Sequence, residues 1–241
     1  MTTAPVSPPS SVTYVVLAKA PVPGRVKTRL TPAYSEHEAA ALAAAALLDT
    51  LDAVGAAAAL STNAGAALVC ALTGELDAAA APAALRAGLA PFRVVEQRGE
   101  GLGERIAAAH LDAAGPDGAT VQVGMDTPHA DPRVLADAAD RVLASGGPDA
   151  VLGLADDGGW WLLALRRAAD ARFVEPVPMS TDATGALTRT ALEAAGLRVE
   201  TAPALSDVDL PADVVAVASR CAGGRFAALA GVLGGREAVV A

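Results

Sequence analysis

The sequence predicts an α/β fold in which a mostly parallel sheet is covered by helices on both faces. Short apolar runs rich in Val and Leu alternate with Ala-rich segments of helical length along the chain. Such alternation is typical of a parallel sheet, because each return to a parallel strand needs a crossover helix. One pair of runs, AVLGLA (150–155) and WWLLAL (160–165), is separated only by a DDGG turn. This pattern predicts one antiparallel hairpin within the sheet.

Each element has its own local signal. Ser35 with Glu38 forms a capping-box pattern, and Asp131 with Pro132 is a typical helix start. Pro82 breaks an Ala-rich segment between the second and third strands. Strands are predicted at 13–18, 66–72, 92–97, 119–124, 150–155, 160–165 and 197–202. Helices are predicted at 35–54, 101–114, 131–145, 181–195 and from residue 211 to the end.

The domain organisation follows from length and linkers. With 241 residues and no long linker or internal repeat, the chain is predicted to form one domain over residues 12–241. The opening MTTAPVSPPSS, residues 1–11, lacks the basic and apolar regions of a signal peptide and is predicted to be a disordered tail.

Composition excludes several classes of protein. The net charge of −9 and the three His argue against a nucleic-acid partner. The longest apolar run, 39–48, is too short to span a membrane and has acidic flanks. Cys70 and Cys221 form no disulfide or metal pattern, which fits a reducing compartment. We therefore expect a cytoplasmic protein whose partner is a small molecule.

A basic segment follows the first strand. The stretch AKAPVPGRVKTRL (18–30) holds both lysines of the protein, Lys19 and Lys27, together with two arginines. Pro and Gly fix its backbone, and alternating cations would point to one side if the chain were extended. Cations gathered at a strand end repel one another unless an anion lies between them. The segment therefore indicates a polyphosphate site, with a solvated surface loop as the alternative.

Several motifs in order resemble a bacterial family of GT-A-fold, glycosyltransferase-like proteins. They are AKAPVPGRVKTRL (18–30), QRGEGLGERI (97–106), VGMDTP (123–128), DDGGWW (156–161) and LSDVDLPAD (205–213). That family is related to the molybdenum cofactor guanylyltransferase and to phospholactate guanylyltransferase. The likeness extends from about Val15 to Asp213, nearly the whole chain. It implies a three-layer α/β/α GT-A fold of the nucleotide-diphospho-sugar transferase superfamily.

The resemblance also implies a divalent-metal site. In the related nucleotidyltransferases an Asp at the end of this strand holds the metal, which carries the role to Asp126. The DxD pattern of glycosyltransferases is absent, because position 128 is Pro. The second ligand is therefore expected from LSDVDLPAD, as Asp209, with Asp207 as the alternative. Two carboxylates with water and phosphate oxygens suit Mg²⁺, or Mn²⁺ in its place.

Two further motifs have both a structural and a functional interpretation. The hairpin turn alone explains Asp157 and Gly158, but Asp156 and Gly159 are surplus to such a turn. The segment could therefore also position an acceptor substrate, with Asp157, Gly158 and Gly159 as the binding residues. Gln97 and Gly101 follow the third strand, where related nucleotidyltransferases use a Gln and a Gly-rich loop to read the base edge. Their alternative is a polar loop leading into a helix.

The leading hypothesis is a Mg²⁺-dependent nucleotidyltransferase that joins a nucleoside triphosphate to a phosphorylated small molecule and releases pyrophosphate. Catalysis would depend on positioning and charge stabilisation, with Arg25, Lys27 and Asp126 as the catalytic residues. A glycosyltransferase using a nucleotide sugar is the alternative, and a non-enzymatic nucleotide-binding regulator is a third possibility. The predicted nucleotide-binding residues are Lys19, Pro23, Gly24, Arg25, Lys27, Arg29, Gln97 and Gly101.

Overall fold

The computed structural model describes residues 11–31, 33–61, 65–221 and 223–240. Residues 1–10 of the predicted tail lie outside the described residues. The proposed extent of a single domain over residues 12–241 remains a prediction.

Seven strands form one sheet in the order β3-β2-β1-β4-β6-β5-β7. Strand β6 is antiparallel to both of its neighbours, β4 and β5, whereas the other pairs are parallel. The prediction of a mostly parallel sheet with one antiparallel hairpin is therefore confirmed. The strands are β1 (Val12–Lys19), β2 (Ala67–Thr73), β3 (Arg93–Glu96), β4 (Ala119–Gly124), β5 (Ala150–Ala155), β6 (Trp160–Leu165) and β7 (Val199–Leu205).

Helices connect the strands and cover the sheet. They are α1 (Glu36–Leu60), α2 (Pro82–Leu89), α3 (Leu102–Ala114), α4 (Pro132–Leu143), α5 (Thr184–Ala194), α6 (Pro211–Arg220) and α7 (Arg225–Val240). Short 3₁₀ helices span Thr28–Leu30, Leu76–Ala78 and Ala168–Phe173. Pro82, which we expected to break a segment, is instead the first residue of α2, where its missing N–H costs no hydrogen bond.

The predicted helix starts are formed by capping. Ser35 Oγ accepts a hydrogen bond from the Glu38 backbone N–H at 3.3 Å, and Glu38 Oε2 accepts one from the Ser35 N–H at 2.9 Å. This reciprocal pair is a capping box. At α4, Asp131 Oδ1 accepts from the Arg133 N–H at 2.8 Å, and Pro132 follows the cap.

Both faces of the central strands are buried, whereas the edge strands β3 and β7 are mostly exposed or half-buried. In β1, Tyr14 and Val16 belong to the core on the side of α1 and α4, whereas Val15 packs with Ala71 and Ala109 on the side of α3. Helix α5 contacts β5 and β7. The alternation of β1 side chains between two cores is the reason its sequence is a continuous apolar run.

Helix α1 is long and apolar enough, by length and composition, to cross a membrane. This differs from the expectation drawn from its longest uninterrupted apolar run. In this structure 67% of its most apolar segment is buried, and the helix packs against β1, β2, α4 and α7. Its place as a central core helix accounts for its apolar character.

The predicted final helix is wrong in one respect, because it is two helices. Helix α6 ends at Arg220 and α7 begins at Arg225, with Gly223 at φ 118° and Gly224 at φ 101° between them. Asp49 of α1 caps α7 by accepting hydrogen bonds from the N–H groups of Arg225 at 3.1 Å and Phe226 at 2.9 Å. A Cβ on Gly224 would lie 2.7 Å from Asp49 Oδ2, so this close approach requires glycine.

Candidate active site at the carboxyl edge of the sheet

The sheet topology brings four chain segments to one edge. Strands β1, β4, β5 and β7 all run toward this edge, and β6 begins there because it runs in the opposite direction. The register pairs Leu17 with Gly124 and Ala155 with Leu205, so the loops after these residues are neighbours. In open α/β sheets, ligands bind beyond the carboxyl ends of the strands.

The basic loop after β1 is tightly folded. Gly24 has φ 73° in a turn, Lys27 has φ 48° in the left-handed region, and a 3₁₀ helix follows over Thr28–Leu30. The expected extended alternation of cations is therefore wrong. The left-handed Lys27 sends its side chain inward with 10% exposed, whereas the Arg29 side chain is 68% exposed. Backbone strain at a non-glycine residue is common at functional sites.

Lys27 and Asp126 form the central ion pair. Lys27 Nζ donates to Asp126 Oδ2 at 2.5 Å, and the Asp126 side chain is 26% exposed. Burial by itself acts to lower the pKa of Lys27, but the attraction of Asp126 and Asp207 outweighs it, so the pKa is raised. Lys27 is therefore a permanent cation in this site.

A second ion pair lies beside the first. Arg29 Nη1 donates to Asp209 Oδ2 at 2.5 Å. Asp213 holds the backbone around Asp209, because its Oδ2 accepts from the N–H groups of Asp209 at 3.0 Å and Leu210 at 2.6 Å. Asp213 is therefore a capping residue of α6, and Asp209 remains directed at the site.

These pairs line a charged cavity of about 500 Å³. Its lining contains five aspartates and two cations, so negative charge is in excess. Ser180, Thr181 and Leu210 complete the wall. The charged members are Lys27, Arg29, Asp126, Asp157, Asp182, Asp207 and Asp209.

Asp207 is a partly buried carboxylate among these aspartates. Its pKa is raised to about 6, mainly by burial and then by repulsion from Asp126 and Asp157. The attraction of Lys27 opposes this rise without cancelling it. A carboxylate with a raised pKa beside other carboxylates indicates a site in which one more cation would be favourable.

The donor set fits a divalent metal. In the described part of the chain, no three His, Cys, Asp or Glu side chains are already arranged around one point. Mg²⁺ and Mn²⁺ sites that share their ligands with substrate phosphates need only one or two carboxylates from the protein. Asp126 and Asp209 are each paired with a cation across this one cavity, and the uncompensated charge around them suits such an ion.

An apolar cavity of about 210 Å³ adjoins the charged one. The two share Asp157, Ser180, Thr181 and Asp207 as lining residues. Apolar atoms provide most of its lining surface, and its lining contains two carboxylates, Asp157 and Asp207, but no cation. The apolar members are Leu17, Leu102, Ile106, Trp160 and Met179.

The DDGG segment forms the predicted hairpin turn. Gly158 has φ 90°, and a Cβ there would lie 2.0 Å from the Asp182 carbonyl oxygen. Asp157 Oδ1 accepts from the Gly159 N–H at 2.8 Å, and Asp157 lines both cavities. Gly158 is therefore required by the geometry of the turn, whereas Asp157 and Gly159 line the apolar cavity.

The two tryptophans after the turn point to opposite faces of β6, as successive residues of a strand do. Trp160 lines the apolar cavity, whereas Trp161 is buried in the core and donates from Nε1 to the Pro203 carbonyl at 3.0 Å.

Gln97 has a structural role in this structure. Its Nε2 donates to the carbonyl oxygens of Ala18 in β1 at 2.7 Å and Ala71 in β2 at 2.8 Å. Gln97 follows β3 directly, so its side chain connects the end of β3 to both β2 and β1. Both amide hydrogens are thereby used, so the predicted base contact would have only the amide oxygen. Gly101 is the N-cap of α3, directly before Leu102 of the apolar cavity.

The other predicted nucleotide-binding residues surround the site without lining either cavity. Lys19 is exposed at the end of β1, and its backbone N–H donates to Met125 Sδ at 3.2 Å, beside Asp126. Arg25 is exposed in the turn, with Pro23 and Gly24 before it.

The segment Met179–Asp182 belongs to the site but was not among the predicted site residues. A helix was expected to begin at residue 181, but α5 begins at Thr184 and the preceding residues form a loop. Ser180 has φ 60°, and Thr181 N–H donates to Thr184 Oγ1 at 3.0 Å. The Ser-Thr-Asp run before the helix was the available signal, since these residues favour turns and caps.

Comparisons with known proteins agree with this architecture. The profile of a family described as "uncharacterized protein conserved in bacteria (DUF2064)" matches residues 39–181. A search of curated proteins gives no match.

Three solved structures illustrate the structural similarity. A protein from Desulfovibrio desulfuricans G20, provisionally assigned as a nucleotide-diphospho-sugar transferase, is 24% identical with TM-score 0.72, covering 92% of this chain and 94% of its own. A CMP:2-keto-3-deoxy-manno-octonic acid synthetase complexed with CTP is 11% identical with TM-score 0.51, covering 86% and 96%. Glucosyl-3-phosphoglycerate synthase from Mycobacterium tuberculosis, in complex with Mn²⁺, UDP and glucosyl-3-phosphoglycerate, is 14% identical with TM-score 0.52, covering 88% and 80%.

These similarities establish the fold. The α/β/α arrangement of the nucleotide-diphospho-sugar transferases, expected from the resemblance, is confirmed. The structures compared include both nucleotidyltransferases and glycosyltransferases, so the reaction has to be argued from the site.

Proposed function

The chain belongs to the DUF2064 family of bacterial proteins, and we propose that it is a nucleotidyltransferase dependent on a divalent metal. The observation that carries this proposal is the Lys27–Asp126 pair at 2.5 Å. It joins a buried cation suited to phosphate with a carboxylate suited to a metal, at the edge where ligands bind to such sheets.

In the proposed reaction, a phosphate oxygen of the second substrate attacks the α-phosphorus of a nucleoside triphosphate. The new P–O bond forms as the bond to the β-phosphate oxygen breaks, and pyrophosphate leaves. The chain's own residues act by holding charge. Lys27 and Arg29 bind the β- and γ-phosphates, whereas Lys19 and Arg25 approach from the rim of the loop.

Asp126 and Asp209 would hold Mg²⁺ or Mn²⁺, which supplies neutralisation of the phosphate oxygens. When the carboxylates are engaged in this way, Lys27 and Arg29 are free to turn to phosphate. The similarity to a structure that contains Mn²⁺ and UDP supports a metal and a nucleotide. Gly24 holds the loop against the start of α1, where a Cβ on it would lie 3.1 Å from Glu36 Oε2.

A glycosyltransferase is the second candidate, and the position of Asp157 favours it. Asp157 lines both cavities, so its carboxylate could accept the proton of an acceptor hydroxyl in the apolar cavity. The similarity to glucosyl-3-phosphoglycerate synthase also supports this candidate. In that reaction a nucleotide sugar would bind, and no pyrophosphate would be released.

The test is a calorimetric titration of each nucleoside mono-, di- and triphosphate with Mg²⁺, followed by a pyrophosphate-release assay with phosphorylated acceptors. We expect the triphosphate to bind most tightly. Lys27→Met, which keeps the buried stem of the side chain, should weaken triphosphate binding about ten- to a hundredfold and leave monophosphate binding nearly unchanged. Arg86→Met is the control, since Arg86 pairs with Asp77 on the exposed surface.

Tightest binding of a diphosphate or of a nucleotide sugar would instead support the glycosyltransferase.

A closer relation to the molybdenum cofactor and phospholactate guanylyltransferases is part of the same proposal, with guanine as the first base to test. We also propose a cytoplasmic location, which the free thiols of Cys70 and Cys221 support.

A further inference from the structure

Two buried polar side chains lie beneath the apolar cavity. Gln122 of β4 is 2% exposed and His110 of α3 is fully buried. Their neighbours on this side of the sheet are apolar, including Val15, Ala71 and Ala109. Burying polar groups in such a layer costs free energy unless each finds a partner, so their presence needs an explanation.

His110 is held in one orientation. Its Nδ1 lies 2.6 Å from Thr120 Oγ1, and Thr120 is two residues before Gln122 on the same face of β4. Burial lowers the pKa of His110 to about 4, and the nearby Gln122 opposes this only in part. His110 is therefore neutral at physiological pH, with a proton on one ring nitrogen and a lone pair on the other.

One polar atom of each side chain, His110 and Gln122, lacks a hydrogen-bond partner in the described part of the chain. His110 Nε2 and Gln122 Oε1 are both buried, and neither makes a hydrogen bond of good geometry within the described part of the chain. If the Thr120 hydroxyl donates to Nδ1, the ring proton lies on Nε2 and can be donated to Gln122 Oε1 after a small rotation. That arrangement leaves the amide N–H groups of Gln122 as the free donors.

Gln122 also lines the apolar cavity. We propose that Gln122, oriented by His110, determines the specificity of this cavity by donating a hydrogen bond to an uncharged acceptor group of the second substrate. The inference rests on the proposed function, in which the second substrate is a phosphorylated small molecule. Its phosphate would bind in the charged cavity and its organic part in the adjoining apolar cavity.

The cavity lining defines the chemistry of that substrate part. With no cation in the lining, the cavity is unsuited to phosphate, which belongs in the adjoining cavity beside Lys27. Trp160 and the aliphatic walls fit a compact carbon skeleton, and Ser180 and Thr181 with Gln122 fit its hydroxyl or carbonyl oxygens. The expected substrate class is a small neutral organic group that carries oxygen and is linked to a phosphate.

The experiment compares organic phosphates with inorganic phosphate. The probes are sn-glycerol 3-phosphate, D-ribose 5-phosphate and α-D-glucose 1-phosphate, titrated with Mg²⁺ by calorimetry and by tryptophan fluorescence. The emission of Trp160, which lines the apolar cavity, should change when a ligand binds there, whereas the buried Trp161 contributes a constant background. We expect at least one organic phosphate to bind tenfold or more tightly than inorganic phosphate and to change the Trp160 emission.

Gln122→Met keeps the shape of the side chain and removes its donors. It should reduce the preference for the organic phosphate about tenfold without changing the affinity for inorganic phosphate. Gln122→Glu should do the same, because it replaces the donor by an acceptor. His110→Asn should weaken the preference by a smaller factor, since His110 positions Gln122 and does not contact the substrate.

The matched control is Tyr14→Phe. The Tyr14 hydroxyl is also buried without a hydrogen-bond partner in the described structure, but it lies in the core on the opposite face of the sheet. This variant should leave the preference intact.

The inference is overturned if no organic phosphate is preferred to inorganic phosphate, or if the preference survives both substitutions of Gln122. The triphosphate titration tests the nucleotide half of the site separately. The protein could prefer an organic phosphate in a Gln122-dependent way and yet show no preference for nucleoside triphosphates. This result would contradict the proposed nucleotidyl transfer but would support Gln122 as the residue that determines the specificity of the apolar cavity.

Discussion

Lys27 Nζ lies 2.5 Å from Asp126 Oδ2, so the residue expected to bind phosphate and the residue expected to hold metal neutralise each other. With only 10% of the Lys27 side chain exposed, little water screens the pair. A phosphate that binds Lys27 must therefore compete with the carboxylate of Asp126 or find it already engaged by a cation. Metal and phosphate binding should be coupled through this contact.

The first prediction tests this coupling with pyrophosphate. Without metal, Asp126→Asn should strengthen pyrophosphate binding about tenfold, because Lys27 loses its competitor for a charge-assisted hydrogen bond. With Mg²⁺ the order should reverse, since the variant lacks the metal ligand. Calorimetry with and without Mg²⁺ gives both values. Asp77→Asn, which breaks the exposed pair with Arg86, is the control. Weaker metal-free binding in Asp126→Asn than in the wild type would contradict the competition.

The second prediction concerns the two proposed metal ligands. Asp126→Asn and Asp209→Asn should each abolish the Mg²⁺-dependent part of nucleotide binding. The double variant should lose no more than either single variant, because one lost ligand already destroys a shared site. Mg²⁺ titrations monitored by nucleotide affinity decide the matter. Additive losses would mean that the two aspartates act independently and do not share one ion.

The third prediction concerns the hairpin turn. Gly158→Ala should lower the free energy of unfolding by about 2 kcal/mol or more, because φ is 90° and the new Cβ would meet the Asp182 carbonyl. Gly146→Ala is the matched control. Gly146 has φ 72° with open space around it, so its substitution should cost only about 1 kcal/mol.

Gly159→Ala should lower the free energy of unfolding by less than either of these substitutions. The nearest atom to the new Cβ would be Asp157 Oδ1 at 3.1 Å, which belongs to a side chain that can move. Urea unfolding of the three variants gives the comparison. If Gly158→Ala costs no more than Gly146→Ala, the close approach of the turn to Asp182 does not exclude a side chain at position 158. A fall in turnover for Gly159→Ala without loss of stability would show that the turn acts on the substrate through Asp157.

The fourth prediction is a pH dependence of stability. The pKa of His110 is about 4 in the folded protein, because the ring is buried, and close to 6.5 in the unfolded chain. The unfolded state therefore binds the proton first as the pH falls. The contribution of His110 to stability is fully present above pH 6.5 and is lost between pH 6.5 and about 4, amounting to about 3 kcal/mol.

Comparing urea unfolding of the wild type and His110→Asn from pH 4 to 8 isolates this effect. The difference in the free energy of unfolding between the two proteins should shrink below pH 6.5, because only the wild type loses the His110 contribution. His37→Asn, at an exposed position of α1, is the control and should keep the wild-type slope. A constant difference between wild type and His110→Asn would contradict the buried neutral imidazole.

Much of the fold and part of the site were determined by the sequence. The apolar runs and turn residues gave the strands, the hairpin and the capped starts of α1 and α4, because these depend on neighbours close in the chain. Since parallel strands end at one edge, the sequence also placed the basic loop, Asp126 and Asp157 near one another, and the family resemblance added Asp209. The break in the final helix was not predicted, although Gly223-Gly224 is a local turn signal. That Asp49 of a distant helix caps α7 could not be predicted from the sequence.

The contacts within the site were decided by tertiary structure. Lys27 meets Asp126 across 99 positions of sequence and Arg29 meets Asp209 across 180, so these pairs depend on strand register and on the left-handed turn at Lys27. The same holds for Gln97, whose amide is taken by strand carbonyls. Local patterns specify which residues are available at an edge. Which of them touch is set by the packing of whole elements, because a small change in register or loop conformation redirects a side chain by several ångströms.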